Sequence, residues 1–221
     1  MTRALVASGA GRYADPWHPF PETSELLAAT LAAAGIDVDV RHDVDAVLRD
    51  LAGVDLLVVN AGDPWHNGPT GRGAPPGSVA GLESATARGI GILGVHAAAA
   101  SLRDYPAWRA ALGGAWTVGE SMHPPFGEAR VRVYADRHPI VAGTSDLTLL
   151  DERYCRLAVD GDLTVLADHE FDGKRHPLVW AREVGRSRVC YSALGHDQRA
   201  YESAPYRELL GRMARWLTHR L

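Results

Sequence analysis

The segment that decides the fold is GIGILGVHAAAAS at residues 89–101. Its apolar run ends abruptly at His96 and passes into small residues. This pattern predicts a buried strand that turns sharply into a helix, and in open α/β proteins the carboxyl end of such a strand borders the ligand crevice. A nucleophile elbow has the same layout, with one reactive residue exposed on a tight turn. Here the reactive position holds His96 instead of Cys or Ser.

Strand and helix patterns alternate on both sides of this segment. Strands are predicted at residues 4–8, 38–40, 56–59 and 90–95, and helices at 21–34, 44–51, 79–88 and 97–112, the last one bent near Pro106. This order predicts an α/β fold with a doubly wound, mostly parallel sheet and helices on both faces, as in flavodoxin-like proteins. The second half is richer in strands, at 130–134, 163–167, 178–181 and 188–192, with a hairpin at Gly185 and a terminal helix opened by Ser203 and Pro205.

Length and composition limit the class of protein. The chain has 221 residues, 46% of them hydrophobic, and a formal net charge of -4, so we expect one domain over residues 1–221. A basic face for nucleic acid is not expected, and no apolar stretch reaches the ~20 residues that span a bilayer. Cys155 and Cys190 form no metal-type pair and are interpreted as buried free thiols. With no signal-peptide pattern at the start of the chain, these features predict a cytoplasmic protein.

Several of the ten histidines occupy positions from which they could meet. His18, His66, His96 and His196 follow predicted strand ends or lie in the loops beyond them. Because the carboxyl ends of parallel strands share one edge of a sheet, these side chains are expected to converge there. Neutral imidazole is a good metal ligand and a general base near neutral pH. His42, His169 and His219 are interpreted as solvated or structural.

The familiar short motifs are absent from the sequence. No His-Glu-x-x-His pair and no Cys-x-x-Cys occurs, so a metal site would have to be assembled from distant loops. Gly9-Ala10-Gly11 follows the first strand but lacks the third glycine of a dinucleotide site. Ser101 falls inside the predicted helix, where a hydrolase nucleophile is not expected. Trp17, Trp65, Trp108 and Trp116 lie near the loop-rich edge and are compatible with packing against sugar C–H surfaces.

A set of short motifs occurs in order between about residues 90 and 200. They are GVHA (94–97), Trp108 with LGG (112–114), His123-Pro124, HPI (138–140), DERY (151–154), PLVW (177–180), GRSRV (185–189) and SALGHD (192–197). Together they resemble the ThuA-like (trehalose utilisation) family, which has the class I glutamine amidotransferase-like fold. The resemblance implies a role in sugar catabolism. Glutamine amidotransferases use an elbow cysteine, so the histidine here argues against glutaminase activity.

The leading hypothesis is a cytoplasmic enzyme that acts on a sugar or keto-sugar derivative. His96 is the central acid/base or ligand residue, assisted by His196 and by Glu152, which is assigned through the resemblance of its motif. Substrate-binding candidates are His18, Trp65, His123, Tyr154 and Asp197. We expect His96, Glu152 and His196 to line one pocket.

Two alternatives remain open. The first is a non-catalytic carbohydrate-binding or regulatory domain. The second is a metal-dependent hydrolase with His18, His96, His123 and His196 as ligands, for which a divalent metal such as zinc is the candidate cofactor. The expected partner is a small sugar or keto-sugar, with no nucleic acid and no membrane, and the sequence leaves open whether the chain forms a homo-oligomer.

Overall fold

The computed structural model describes residues 2–221. Its main element is one large mixed β-sheet. The strands are β1 (Arg3–Ser8), β2 (Asp37–Arg41), β3 (Leu56–Asn60), β4 (Gly91–Val95), β5 (Gly114–Ala115), β6 (Gly127–Val133), β7 (Leu147–Asp151), β8 (Ala158–Val159), β9 (Thr164–Phe171), β10 (Lys174–Val184) and β11 (Ser187–Ser192). The sheet order is β2-β1-β3-β4-β11-β10-β9-β6-β7, and β5 pairs with β8 in a small separate sheet. The α/β prediction is therefore confirmed.

The sheet has a parallel half and an antiparallel half. Strands β2, β1, β3, β4 and β11 pair in parallel, whereas β11, β10, β9, β6 and β7 pair antiparallel. The predicted hairpin between the last two strands is confirmed, since β10 and β11 are joined by a turn in which Gly185 has φ 58°. This hairpin reverses the chain direction and makes the sheet mixed.

The described part of the chain forms five α-helices, which pack around the sheet. They are α1 (Phe20–Ala33), α2 (Val44–Arg49), α3 (Pro76–Arg88), α4 (Pro106–Leu112) and α5 (Ala204–Leu217). The side chains of Asp43 and Ser203 cap α2 and α5 by accepting hydrogen bonds from Ala46 N and Tyr206 N. Helix α1 packs on α5, and α3 packs on α2 and α4. Within residues 2–221, none of the helices has the length and apolar character needed to cross a membrane.

The continuous helix predicted after His96 is wrong. A short 3-10 turn (His96–Ala99) is followed by irregular chain, and α4 begins only at Pro106. The Ala98 carbonyl accepts from the Trp108 indole, and the Ala99 carbonyl accepts from Trp116 N. These tertiary hydrogen bonds occupy carbonyls that a continuing helix would use, and Leu102 has φ 51°, which a helix does not tolerate.

Strand β7 was not predicted, and its placement matters for the site. It lies at the edge of the sheet, paired with β6, and it packs against α5 and the 3-10 helix Gln198–Glu202. The end of β7 therefore lies against the chain that follows β11. Asp151, the last residue of β7, contacts that chain through Gly195 and His196 and brings its neighbour Glu152 with it.

Candidate active site at the carboxyl edge of the sheet

The strand ends place His96 and His196 at one edge of the sheet. Strands β4 and β11 are parallel neighbours, and their last residues, Val95 and Ser192, are in register. His96 follows directly with φ 45°, a strained value for a non-glycine residue that costs about 1–3 kcal/mol. Just before the turn, a Cβ at Gly94 would lie 2.7 Å from Leu112 Cδ1, so the glycine allows this close approach. The predicted sharp turn at the end of β4 is present, although it leads into a 3-10 turn and not into a continuous helix.

The ring of His96 is held in one orientation. Its Nδ1 lies 2.7 Å from the carbonyl oxygen of Ala193, and because a carbonyl only accepts, Nδ1 carries the proton. The Tyr191 hydroxyl donates to the His96 carbonyl at 2.7 Å and fixes the backbone of the turn. His96 is 1% exposed, and burial is the main reason that its pKa falls to about 4, against the opposing contact with Glu152. His96 is therefore neutral, with the Nε2 lone pair free.

The free nitrogen of His96 faces two other groups. Its Nε2 lies 3.3 Å from His196 Nδ1 and 3.6 Å from Glu152 Oε2, and His196 Nδ1 lies 3.3 Å from the same carboxylate oxygen. Burial disfavours the Glu152 carboxylate, but the neighbouring histidines, with His96 first, outweigh it and hold the pKa below its ordinary value. Burial also lowers the pKa of His196. The predicted convergence of these three residues is seen in this geometry.

His18 approaches the same point from the loop after β1. Its Nδ1 lies 2.8 Å from both carboxylate oxygens of Asp15, which also accepts from the backbone N–H groups of Trp17 and His18. Burial opposes ionisation of Asp15, yet the hydrogen bonds from His18 and the backbone hold its pKa below the ordinary value. With Nδ1 donating to Asp15, the buried Nε2 of His18 is left without a hydrogen-bond partner within residues 2–221.

Asp151 joins the two chain segments that carry Glu152 and His196. Its fully buried carboxylate accepts from Gly195 N at 2.7 Å, His196 N at 3.1 Å and Glu152 N at 2.8 Å. Burial raises the pKa of Asp151 to about 7, although these three hydrogen bonds oppose the rise. Asp151 thus fixes the position of the other two residues without touching the cavity.

His18, Glu152 and His196 lie at the floor of a cavity of about 420 Å³, a size typical of small-molecule sites. The lining residues are Asp15, Trp17, His18, Asp63, His66, Asn67, Ala97, Ala100, Trp116, His123, Glu152, Tyr154 and His196. The prediction that His96 lines the pocket is wrong: His96 is buried just behind this surface, in contact with Glu152 and His196. His18, His96, Glu152 and His196 each offer one nitrogen or oxygen atom, and these four atoms lie within 4.8 Å of one another. We call these four residues the His/Glu cluster.

The other predicted binding residues divide into two groups. His123 and Tyr154 line the cavity, with His123 Nδ1 3.5 Å from Glu152 Oε1 and the Tyr154 ring 4.3 Å from that of His96. Trp65 and Asp197 do not line it. The Trp65 ring lies under the guanidinium of Arg103 at 5.2 Å. The Asp197 carboxylate caps the 3-10 helix by accepting from Arg199 N and also contacts the Arg199 side chain.

Sequence reasoning missed three polar residues of the cavity wall. Asp15, Asp63 and Asn67 line it. Asp63 accepts from Arg103 Nη2 at 2.8 Å and from the backbone N–H of Asn67 at 2.7 Å, which shapes the loop after β3. The spacing of Asp15 three residues before His18 is the one signal that could have indicated its role.

Comparisons with known proteins agree with this architecture. The family model of ThuA, described as trehalose utilisation, matches residues 3–217. A ThuA-like protein from Parabacteroides merdae superposes with a TM-score of 0.80 at 20% identity, covering 98% of this chain and 90% of that one. A ThuA-like protein from Bacteroides uniformis has a TM-score of 0.75 at 17% identity, with coverages of 98% and 91%.

A third structure is a cytoplasmic protein from Salmonella typhimurium LT2, with a TM-score of 0.67 at 15% identity and coverages of 98% and 99%. Comparison with curated proteins finds no match. At these identities the structures support the fold, and the family model extends over nearly the whole chain. The chain therefore belongs to the ThuA family, the family of trehalose utilisation.

Proposed function

We propose that this protein is an enzyme of carbohydrate utilisation that binds a sugar or keto-sugar derivative in the cavity. Its chemistry is centred on His96, Glu152 and His196, with His96 as the central acid/base or ligand residue. The observation that carries the proposal is the convergence of these titratable groups from distant parts of the chain, with Glu152 and His196 at the floor of one cavity and His96 in contact with both behind it. Perturbed titratable groups in a cleft are typical of catalytic sites.

The wall of the cavity supports a neutral carbohydrate as the ligand. Trp17 and Trp116 offer aromatic faces, while Asp63 and Asn67 offer polar groups, a combination suited to the C–H faces and hydroxyls of a sugar. Among the described residues that line the cavity there is no Lys or Arg. No basic side chain of the lining can therefore pair with a phosphate or carboxylate group of a substrate, whereas an uncharged sugar needs no such partner.

The cysteines support chemistry other than that of a glutaminase. The elbow position holds His96, and both cysteines are buried. Burial raises the pKa of Cys155 and raises that of Cys190 well above its ordinary value. A buried neutral thiol is a poor nucleophile.

Four further proposals concern the type of fold, the number of domains, the location in the cell and the partner. The β2-β1-β3-β4 order and the two groups of helices support a doubly wound fold of the class I glutamine amidotransferase type. The contiguous hydrophobic core supports one domain over residues 1–221. A cytoplasmic location is supported by the name of the Salmonella structure. The partner proposed is the small-molecule ligand, without nucleic acid or membrane, in a chain that acts alone or as a homo-oligomer.

A thermal-shift screen tests the proposed ligand class. Neutral monosaccharides, disaccharides and their keto derivatives are compared with sugar phosphates. A ligand present at 100 times its Kd stabilises the folded protein by about 2.7 kcal/mol. Trp17→Ala removes an aromatic face that is 56% exposed, so the variant should fold normally and lose most of the shift. Leu150→Ala is the matched control, because Leu150 is 47% exposed and does not line the cavity.

Turnover of a ligand found in this way is then followed by NMR. His196→Ala should abolish turnover while the melting temperature stays within a few degrees of the wild type. Binding without turnover would instead make the chain a carbohydrate-binding or regulatory domain. A shift caused only by sugar phosphates, or an equal shift in Trp17→Ala, would contradict the proposed ligand class.

A further inference from the structure

We propose that the His/Glu cluster is a binding site for one divalent transition-metal ion, held by the imidazole nitrogens of His18, His96 and His196 and a carboxylate oxygen of Glu152. This proposal deepens the proposed function, because it specifies how the floor of the same cavity works. It can be tested in the absence of any sugar.

The spacing of three donor atoms matches that of ligands around zinc. Zinc holds nitrogen and oxygen ligands at about 2.0–2.1 Å in a tetrahedral arrangement, so neighbouring ligand atoms are about 3.3–3.4 Å apart. The observed separations are 3.3 Å from His96 Nε2 to His196 Nδ1, 3.3 Å from His196 Nδ1 to Glu152 Oε2 and 3.6 Å from His96 Nε2 to Glu152 Oε2. An ion can therefore sit against all three atoms with shifts of a few tenths of an ångström.

Hydrogen bonding alone leaves this cluster incompletely satisfied. His96 Nε2 is an acceptor because Nδ1 carries the proton, and it faces the carboxylate of Glu152, which also only accepts. One proton on His196 Nδ1 can serve one of these acceptors well, but not both. His18 Nε2 adds a third lone pair, buried and without a hydrogen-bond partner in the described chain. A cation among the four atoms satisfies all of these lone pairs together.

Two of the imidazoles are already oriented as metal ligands usually are. A ligating histidine almost always donates its other ring N–H to a carboxylate or a backbone carbonyl. His18 donates to the Asp15 carboxylate, and His96 donates to the Ala193 carbonyl at 2.7 Å. In each case the nitrogen left free is the one that belongs to the cluster.

The donor set indicates the kind of ion. Three imidazoles and one carboxylate suit zinc and its neighbours iron, cobalt and nickel more than magnesium or calcium, which prefer oxygen ligands. His18, Glu152 and His196 also line the cavity, so an oxygen atom of a bound sugar can approach the ion from that side. The ion would polarise such an oxygen atom as a Lewis acid. His123, which contacts the other oxygen of Glu152, stays outside the ligand set and is free to transfer protons.

Metal titration of the chelator-treated protein tests the proposal. Isothermal titration with Zn²⁺ should give one ion per chain, and Co²⁺ should give the visible absorption of a low-symmetry nitrogen/oxygen site. Glu152→Gln preserves the size of the side chain and should weaken Zn²⁺ binding more than about a hundredfold, because loss of even an outer contact costs 10–100-fold. His18→Gln is the second ligand variant, and it carries the test if Glu152→Gln does not fold.

Two controls come from the same cavity. His66→Gln removes a lining histidine outside the cluster and should leave the Zn²⁺ affinity within about threefold of the wild type. His123→Gln decides between Glu152 and His123 as the fourth ligand, and the proposal expects it to bind Zn²⁺ like the wild type.

Absence of stoichiometric binding to the wild type would overturn the proposal, as would equal affinity in the folded Glu152→Gln and His18→Gln variants. Loss of binding in His123→Gln would overturn the ligand set. Because sugar is absent throughout, failure here leaves the sugar-binding test unaffected, and failure of the sugar screen leaves this test unaffected.

Discussion

Asp15→Asn is the substitution that most directly tests how the site is preorganised. The Asp15 side chain is 4% exposed and accepts three hydrogen bonds, from Trp17 N, His18 N and His18 Nδ1, at 2.8–2.9 Å. Asparagine has the same shape, but it has one acceptor oxygen where aspartate has two, and it carries no charge. Its remaining oxygen, Oδ1, must then serve the two backbone N–H groups and His18 Nδ1 together, because the NH₂ group that replaces Oδ2 cannot accept a proton. The preference of His18 for the tautomer with the proton on Nδ1 is therefore weakened.

The size of the effect follows from these contacts. A hydrogen bond to a charged group contributes about 1.5–3 kcal/mol, and because Asp15 is shielded from solvent, screening removes little of it. Asparagine avoids burying a charge, which offsets part of the loss, so we expect a net destabilisation of about 1–2 kcal/mol. For a chain of this length that corresponds to a melting temperature lower by about 2–8 °C. Zn²⁺ affinity should fall about 10–100-fold, as expected for the loss of a ligand-orienting carboxylate.

Three measurements check this prediction. The melting temperature of the metal-free protein gives the stability, and ¹⁵N NMR of the imidazole nitrogens gives the tautomer of His18. The pKa of Asp15 is lowered in the folded protein, so its contribution is complete above the ordinary value of 3.8 and is lost as the pH falls through the folded value. The stabilities of the wild type and the variant should therefore differ at pH 6 and converge below pH 3.8.

Asp39→Asn, at an exposed ion pair with Arg41, is the control and should change stability by less than about 0.5 kcal/mol. An unchanged His18 tautomer together with an unchanged melting temperature would refute the reasoning.

Two further predictions concern the elbow and the thiols. Tyr191→Phe keeps the ring packed but removes the hydroxyl that donates to the buried carbonyl of His96, so urea denaturation should show a loss of about 0.5–1.5 kcal/mol; an unchanged unfolding midpoint would mean that the hydroxyl does not hold the turn. Cys155 and Cys190 are buried with raised pKa values, so a thiol reagent should label them slowly in the native protein and label two per chain after denaturation. Rapid labelling of the native chain would contradict this placement.

Local patterns in the sequence were enough to determine the class of fold and part of the site. The apolar run before His96 predicts a buried strand, because a strand with apolar side chains on both faces has no polar face to present to water. Caps at Asp43 and Ser203 and the glycine at the β10–β11 turn are short-range signals, and each is present in the structure. The convergence of His96 and His196 also follows from topology, since parallel neighbouring strands end at one edge.

Only the tertiary structure decided the rest of the site. The helix after His96 is broken because Ala98 and Ala99 give their carbonyls to Trp108 and Trp116, partners that the local pattern does not reveal. Strand β7 lies at the sheet edge, and tertiary hydrogen bonds hold Asp151, with its neighbour Glu152, against residues 195–196. Which nitrogen of His96 is free is likewise determined by a distant acceptor, the Ala193 carbonyl, whereas that of His18 is determined by Asp15, three residues earlier in the same loop. The spacing of apolar residues indicates which face of a helix or strand is buried. The direction of an imidazole lone pair depends instead on atoms that only the folded chain brings together.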